Sequence, residues 1–232
     1  MTHFYDVESI LFDCDSTLSS LEGIDELAKQ MGVYDQLAPL TQAAMEGEIK
    51  LDAVYKKRLE LIRPDKNSIA WLAQRYIDTL VIDADVVIAK LQKSNKQIHI
   101  ISGGLRQAIL PLASKLNITE INVHAVDVYF DDKGNYIGFD EQSPLAQSGG
   151  KAVISQQIIG DKGTAVMIGD GVTDLEAQHE RVHFIGFGGV VIRELVRNQS
   201  RDYIEQTTLL PLLDRLLSQN QQIAISSQTT TI

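Results

Sequence analysis

The sequence predicts a doubly wound α/β fold: a Rossmann-like parallel sheet core with an inserted helical cap domain and a β-hairpin. Three observations predict it. Short apolar runs ending in Gly or Asp alternate with longer helical patterns. The stretch after the first such run carries helical pattern only. A strand, turn, strand segment interrupts the second half.

The elements follow in order. Ser9 to Phe12 is a continuous apolar run ending at Asp13, as a parallel strand buried on both faces reads. Gly23 to Met31, Leu40 to Glu46, Asp52 to Ile62 and Ser68 to Ile77 are helical candidates with no strand between them. Residues 18–79 are therefore expected to form the cap, and residues 1–17 and 80–217 the core. A helix is expected over Asp85 to Ser94. Gln97 to Ser102 is the next strand, running into Gly103-Gly104. In the helix from Leu105 to Asn117, Ile109, Leu112 and Leu116 recur at spacings of three and four, which marks one buried face. Val123 to Phe130, the turn Asp131 to Asn135 and the strand Tyr136 to Phe139 predict the hairpin. Lys151 to Ile159 and Leu209 to Leu217 are helical, and Thr164 to Ile168 and His183 to Ile185 are strands. Ser218 to Ile232 has no charge and is rich in Gln, Ser and Thr, so a frayed tail is expected at 218–232.

Composition narrows the function. The 232 residues carry 21 Lys or Arg against 31 Asp or Glu, a formal charge of −10, with 44% apolar residues. A surplus of acid opposes non-specific binding to nucleic acid or anionic membranes. No apolar run reaches the roughly 18 residues of a membrane span. The acidic start lacks the pattern of a signal peptide. Cys14 is the single cysteine, which excludes an intrachain disulfide and a cysteine zinc cage. A cytoplasmic monomer or homodimer is expected.

The densest chemistry is Asp13-Cys14-Asp15-Ser16-Thr17 at the end of the first strand. Alternation puts positions 13 and 15 on one side and Cys14 on the other. Two carboxylates held together need a cation or a shared proton; a plain surface turn is the competing reading. Gly169-Asp170-Gly171-Val172-Thr173-Asp174 also follows a strand, with two acids four residues apart, on one helical face if the helix begins early. The carboxyl ends of adjacent strands converge on one crevice, so these aspartates would crowd a single pocket. Oxygen donors without His or Cys suit Mg²⁺. Ser102-Gly103-Gly104 and Ser148-Gly149-Gly150-Lys151 place a hydroxyl and glycines before a helix, offering N–H groups to an anion, and Lys151 adds a point charge. No P-loop pattern occurs. A small phosphorylated metabolite is the ligand these groups suit. Cys14 and His99, His124, His179 and His183 read as structural.

The pattern D-x-D-S-T, a helical insertion, I-S-G-G, a lysine and G-D-G-x-T-D resembles the haloacid dehalogenase superfamily of phosphotransferases. Within it, Glu22-Gly-Ile-Asp-Glu-Leu-Ala28, Ala44-Met45, Arg58-Leu59, Gly138-Phe-Asp-Glu141 and Phe184-Ile-Gly-Phe-Gly-Gly189 resemble the phosphoserine phosphatase family, from Ile10 to about Leu217. The resemblance implies Mg²⁺-dependent hydrolysis of phosphoserine, a step of L-serine biosynthesis, through an aspartyl-phosphate. It makes Asp13 the nucleophile and Asp15 the general acid and base. It gives the metal to the Asp13 carboxylate, the Asp15 carbonyl and Asp170, with Asp174 orienting Lys151 or a metal-bound water. Ser102, Gly103 and Lys151 would hold the transferring oxygens, beside Thr173. Glu22 would face the substrate ammonium, Arg58 its carboxylate, and Met45 a pocket wall. Glu46, Val126 and Val190 depart from the family pattern, which keeps open another small phosphomonoester such as phosphoethanolamine or phosphocholine. A receiver-type phospho-acceptor module is the non-enzymatic alternative.

Overall fold

A computed structural model describes residues 4–45, 49 and 51–229 of the chain, without the side chains of 41, 44, 45, 51–53 and 226–229. Its strands are β1 (Ser9–Phe12), β2 (Gln97–Leu105), β3 (Val123–Val126), β4 (Val128–Phe130), β5 (Tyr136–Phe139), β6 (Ala165–Gly169), β7 (Val182–Phe187) and β8 (Tyr203–Ile204). Among the described residues six of them form one parallel sheet in the order β3-β2-β1-β6-β7-β8, and β4 and β5 form a separate antiparallel pair. The order reverses beside β1: the chain builds outward through β2 and β3, then returns to β6 on the other side. This is the doubly wound arrangement the sequence predicts, and its switch point lies at the end of β1.

Register decides what gathers there. Phe12 sits level with Ile100 of β2 and with Ile168 of β6. Asp13 and Asp170 leave the sheet just beyond these positions and Ser102 lies two residues further along β2, so all three stand at the same end of the central strands. Ile10, Leu11, Phe12, Val166, Met167 and Ile168 are 0% exposed, as central strands covered on both faces require.

Among the described residues, four helices fill the segment 18–79 that follows β1: α1 (Gly23–Gln30), α2 (Tyr34–Met45), α3 (Leu51–Ile62) and α4 (Lys66–Asp78). The Asp65 side chain caps α4 by accepting from the Ser68 N–H at 2.7 Å. The remaining helices are α5 (Ala84–Lys93), α6 (Arg106–Lys115), α7 (Gly150–Ile159), α8 (Val172–Leu175), α9 (Glu194–Gln199), α10 (Pro211–Leu216) and α11 (Gln219–Thr229). α4 packs along α6, which joins the helical segment to the sheet.

The structure differs from the sequence reading at several places, among them α2, which begins at Tyr34 rather than Leu40 and holds Pro39 inside it. The run Val123 to Phe130 is two strands, not one. Gln107 divides it: its Nε2 donates to Asp127 Oδ1 at 3.0 Å and to the Val128 carbonyl at 3.2 Å, while its Oε1 accepts from the Val128 N–H at 3.1 Å. That side chain stands where a ladder partner would be, so β3 stays with the sheet and β4 turns to β5. Ser102-Gly103-Gly104 is not a turn before a helix, because β2 continues to Leu105. β8 and α9 are too short to show a period. Finally, residues 218–232 contain a helix over Gln219–Thr229, with Ile225 buried. Ser218 and Gln221 make reciprocal hydrogen bonds at its start, the N–H of Ser218 to Gln221 Oε1 at 2.9 Å and the N–H of Gln221 to Ser218 Oγ at 3.4 Å. This is a capping box carried by uncharged residues.

Candidate active site

Asp13 is fixed by β1 and by what stands over it. Its N–H donates to the Ile168 carbonyl at 2.9 Å, continuing the sheet by one residue. Its Oδ1 accepts from the Cys14 N–H at 2.7 Å and from Lys151 Nζ at 2.8 Å. Cys14 is fully buried, and burial pushes its thiol up, with Asp15 and Asp13 adding to the effect. It therefore stays a thiol. Ser16 adopts the left-handed conformation at φ 52° and donates from Oγ to Glu22 Oε1 at 2.8 Å, which folds Glu22 back over the end of the strand.

Lys151 stands between two carboxylates, Asp13 and Asp174, the latter at 2.5 Å. Burial alone would lower its pKa; Asp13 and Asp174 together outweigh burial and raise it. The two glycines ahead of it have separate reasons. Gly149 has φ +74°, and a Cβ on Gly150 would lie 1.8 Å from the Pro144 carbonyl oxygen. Asp174, 0% exposed, accepts from the Gly171 N–H at 3.0 Å. A Cβ on Gly169 would fall 2.1 Å from its Cγ, so the glycine makes room for the acid.

Two groups central to the site escaped the sequence reading. Arg193 Nε donates to Asp170 Oδ2 at 2.8 Å and its Nη2 to Glu22 Oε1 at 3.0 Å. Tyr76, fully buried on α4, donates its hydroxyl to Asp15 Oδ1 at 2.5 Å, while Asp15 Oδ2 accepts from the Gly23 N–H at 3.0 Å. Arg193 follows Gly188-Gly189 in a segment without period, and Tyr76 reads as one more apolar position of a helix. Neither residue carries a local signal that sets it apart from its neighbours.

Burial of this much acid is costly. Burial, then Asp13, pushes Asp15 up to about 7. Burial, then Glu22, pushes Asp170 up to about 7. Burial, then Asp15, pushes Glu22 up to about 8. Carboxylate oxygens of Asp13, Asp170 and Asp174 all lie within 4.8 Å of one another. Three buried carboxylates with oxygen-only chemistry fit a divalent cation, which would offset that repulsion. The Asp15 carboxylate is outside this trio, since Tyr76 and Gly23 hold it; the family resemblance implies its backbone carbonyl as the metal ligand.

Asp13, Asp15, Glu22, Arg58, Ser102, Gly103, Lys151 and Thr173 line one cavity, with Ile24 and Leu145 as apolar wall. Ser102 Oγ accepts from the Gly104 N–H at 3.0 Å, and the Tyr55 hydroxyl of α3 donates to the Gly103 carbonyl at 2.7 Å. Arg58 is 4% exposed and its Nε has no hydrogen-bond partner; its guanidinium lies 5.5 Å from the centre of the Tyr55 ring. Burial lowers its pKa. Of the departures, Val126 is a core residue and Val190 packs partly buried against the core, and neither lines the cavity. Glu46 and the side chain of Met45 lie outside the described residues. Among the described residues, no helix is long and apolar enough to cross a membrane. His99 and His124 pair with each other at 3.2 Å on β2 and β3, away from the cavity lining.

A parallel sheet whose switch point gathers buried aspartates, a lysine and a hydroxyl around one cavity suits phosphoryl chemistry, and comparison with known proteins makes the chain a phosphoric monoester hydrolase. The chain belongs to the haloacid dehalogenase-like hydrolase family, whose model matches residues 7–179. Within that family it is similar to the phosphoserine phosphatase of Homo sapiens, 40% identical over 216 residues that cover 92% of this chain and 95% of the relative. It is also similar to the chloroplastic phosphoserine phosphatase of Arabidopsis thaliana, 39% identical over 196 residues that cover 82% of this chain and 66% of the relative. Among solved structures, a phosphoserine phosphohydrolase-like protein from Francisella tularensis superposes with a TM-score of 0.81 at 26% identity, covering 89% of this chain and 98% of that one.

Proposed function

We propose that the chain hydrolyses phosphoserine to serine and phosphate through an aspartyl-phosphate on Asp13. One observation carries the substrate: Arg58 and Glu22 line the same cavity, and the buried Nε of Arg58 has no hydrogen-bond partner. A buried donor without a partner is costly, and a substrate carboxylate would relieve it with charge-assisted hydrogen bonds. Glu22 accepts both its hydrogen bonds on Oε1, which leaves Oε2 to a substrate ammonium. Phosphoserine carries both charges on one carbon.

The residues then take these parts. Asp13 attacks phosphorus, which splits one displacement into two easier ones. Asp15 gives its proton to the departing serine oxygen and later takes one from the attacking water. Lys151, Ser102 and the Gly103 N–H hold the transferring oxygens, beside Thr173. Asp174 positions Lys151. We assign Mg²⁺ to Asp13, Asp170 and the Asp15 carbonyl, where it would neutralise the approach of a carboxylate to a phosphate dianion. Residues 18–79 serve as the cap that encloses the substrate and excludes water.

The test is a rate comparison on L-phosphoserine, phosphoethanolamine, phosphocholine and sugar phosphates, with and without Mg²⁺. L-Phosphoserine with Mg²⁺ is expected to be turned over fastest, and Asp13→Asn to be inactive with its fold intact. A faster phosphorylated amine without a carboxylate would overturn the substrate assignment.

A further inference from the structure

Asp15 is not held by its own strand. One oxygen takes the Gly23 N–H at the start of α1 and the other takes the Tyr76 hydroxyl on the last turns of α4. The space around that hydroxyl is shaped for it. A Cβ on Gly23 would lie 2.0 Å from Tyr76 Oη, and one on Gly104 would lie 3.4 Å from it. Three separated segments thus close around a single phenol oxygen. A phenylalanine would fill the same ring volume without burying a hydroxyl, and a buried hydroxyl is costly unless it is hydrogen-bonded. Here its acceptor is the acid of the reaction.

We infer that Tyr76 is a positioning residue that fixes the Asp15 carboxyl group for proton delivery to the departing oxygen of the substrate. This rests on the phosphomonoester reading above. In the transfer, an Asp13 oxygen bonds to phosphorus as the ester P–O bond breaks. The bonding pair stays on the departing oxygen, and the Asp15 proton passes to it. The products are an alcohol and the aspartyl-phosphate. A carboxyl oxygen that accepts one hydrogen bond keeps a second lone-pair direction. Tyr76 and Gly23 therefore orient the group without blocking it. Without the hydroxyl the carboxyl group can rotate about χ2, and misplacement of about 1 Å can cost about 100-fold in rate.

The demand for this proton depends on the leaving group, which provides the test. Serine must leave as an alcohol and needs the proton; acetate leaves acetyl phosphate as a stable anion and does not. kcat/KM, which covers the steps up to the aspartyl-phosphate, is measured for Tyr76→Phe on both substrates. The expected result is a fall of about 10- to 100-fold on L-phosphoserine, less than about 3-fold on acetyl phosphate, and an unchanged KM for L-phosphoserine. An equal fall on both substrates, or no fall on either, would overturn the inference. Gly23→Ala, which displaces the hydroxyl while keeping it, is expected to give the same asymmetry and carries the test if Tyr76→Phe does not fold. If the wild type proves inactive on L-phosphoserine but active on another alkyl phosphate, the substrate reading fails. The comparison with acetyl phosphate is then made on that alkyl ester and still decides the role of Tyr76.

Discussion

Arg58 is where the chemistry of recognition is most exposed to test. A charge-assisted hydrogen bond to a buried group is worth about 1.5–3 kcal/mol, so Arg58→Ala is expected to raise KM for L-phosphoserine about 10- to 100-fold. Phosphoethanolamine, which lacks the carboxylate, should change by less than about 3-fold; steady-state kinetics on both decides it, and equal losses would deny Arg58 its role. At this scale the sequence was informative wherever chemistry-bearing residues stood close together. Asp13 with Asp15, and Asp170 with Asp174, announce themselves by spacing, because no ordinary turn needs four carboxylates at two strand ends. Arg193 and Tyr76 do not, since each acts on partners far away in the chain: Arg193 on Glu22 and Asp170, Tyr76 on Asp15. Their side chains look like a surface charge and a core ring until the fold brings the acids to them.

Elements place the residues, and the start of α7 shows how tightly. The sequence suggested an anion-binding turn at Ser148-Gly149-Gly150-Lys151, but Gly150 is required by packing: its Cα abuts the Pro144 carbonyl, and backbone cannot yield as a side-chain tip can. Gly150→Ala should therefore shift the first turn of α7 and carry Lys151 away from Asp13 and Asp174. The expected outcome is a kcat loss of about 10-fold or more with a lowered melting temperature; a variant with wild-type kcat would show that the turn adapts. The C-terminal helix α11 teaches the converse. Its charge-free composition reads as tail, yet Ser218 and Gln221 cap it and Ile225 anchors it. Ser218→Ala is expected to cost about 1 kcal/mol, seen in thermal denaturation as a fall of about 2–4 °C with activity unchanged. The hairpin forms as predicted, and only the extent of its first strand differs, for the same reason. A period-2 run tells which residues are extended, whereas a remote side chain, Gln107, decides which strand they join.

For the whole molecule, a net charge of −10 gave the excess of acid but not its location, and location sets how stability responds to ions and pH. Part of that acid is buried at the switch point, where Asp13, Asp170 and Asp174 crowd within 4.8 Å. Binding that favours the folded state stabilises it by about 2.7 kcal/mol at a hundredfold excess over Kd. Mg²⁺ should therefore raise the melting temperature by about 5–10 °C, and Asp170→Asn should abolish most of the rise. The pH response has a fixed sign. Glu22, ordinarily near 4.5, is pushed up to about 8 by burial and Asp15. A carboxyl whose folded pKa is raised stabilises the fold below its unfolded value and loses that contribution as pH climbs through the folded one. Asp15 and Asp170, each pushed up to about 7, act with the same sign. The ion-free protein is thus expected to melt lower at pH 8.5 than at pH 5.5, and Glu22→Gln, which keeps the shape but cannot ionise, should make that slope shallower without abolishing it. A slope unchanged in Glu22→Gln would mean that the pH sensitivity resides elsewhere in the fold. The two measurements separate two expected effects of one acidic cluster: a dependence on a cation held by Asp13 and Asp170, and a dependence on pH to which Glu22 contributes.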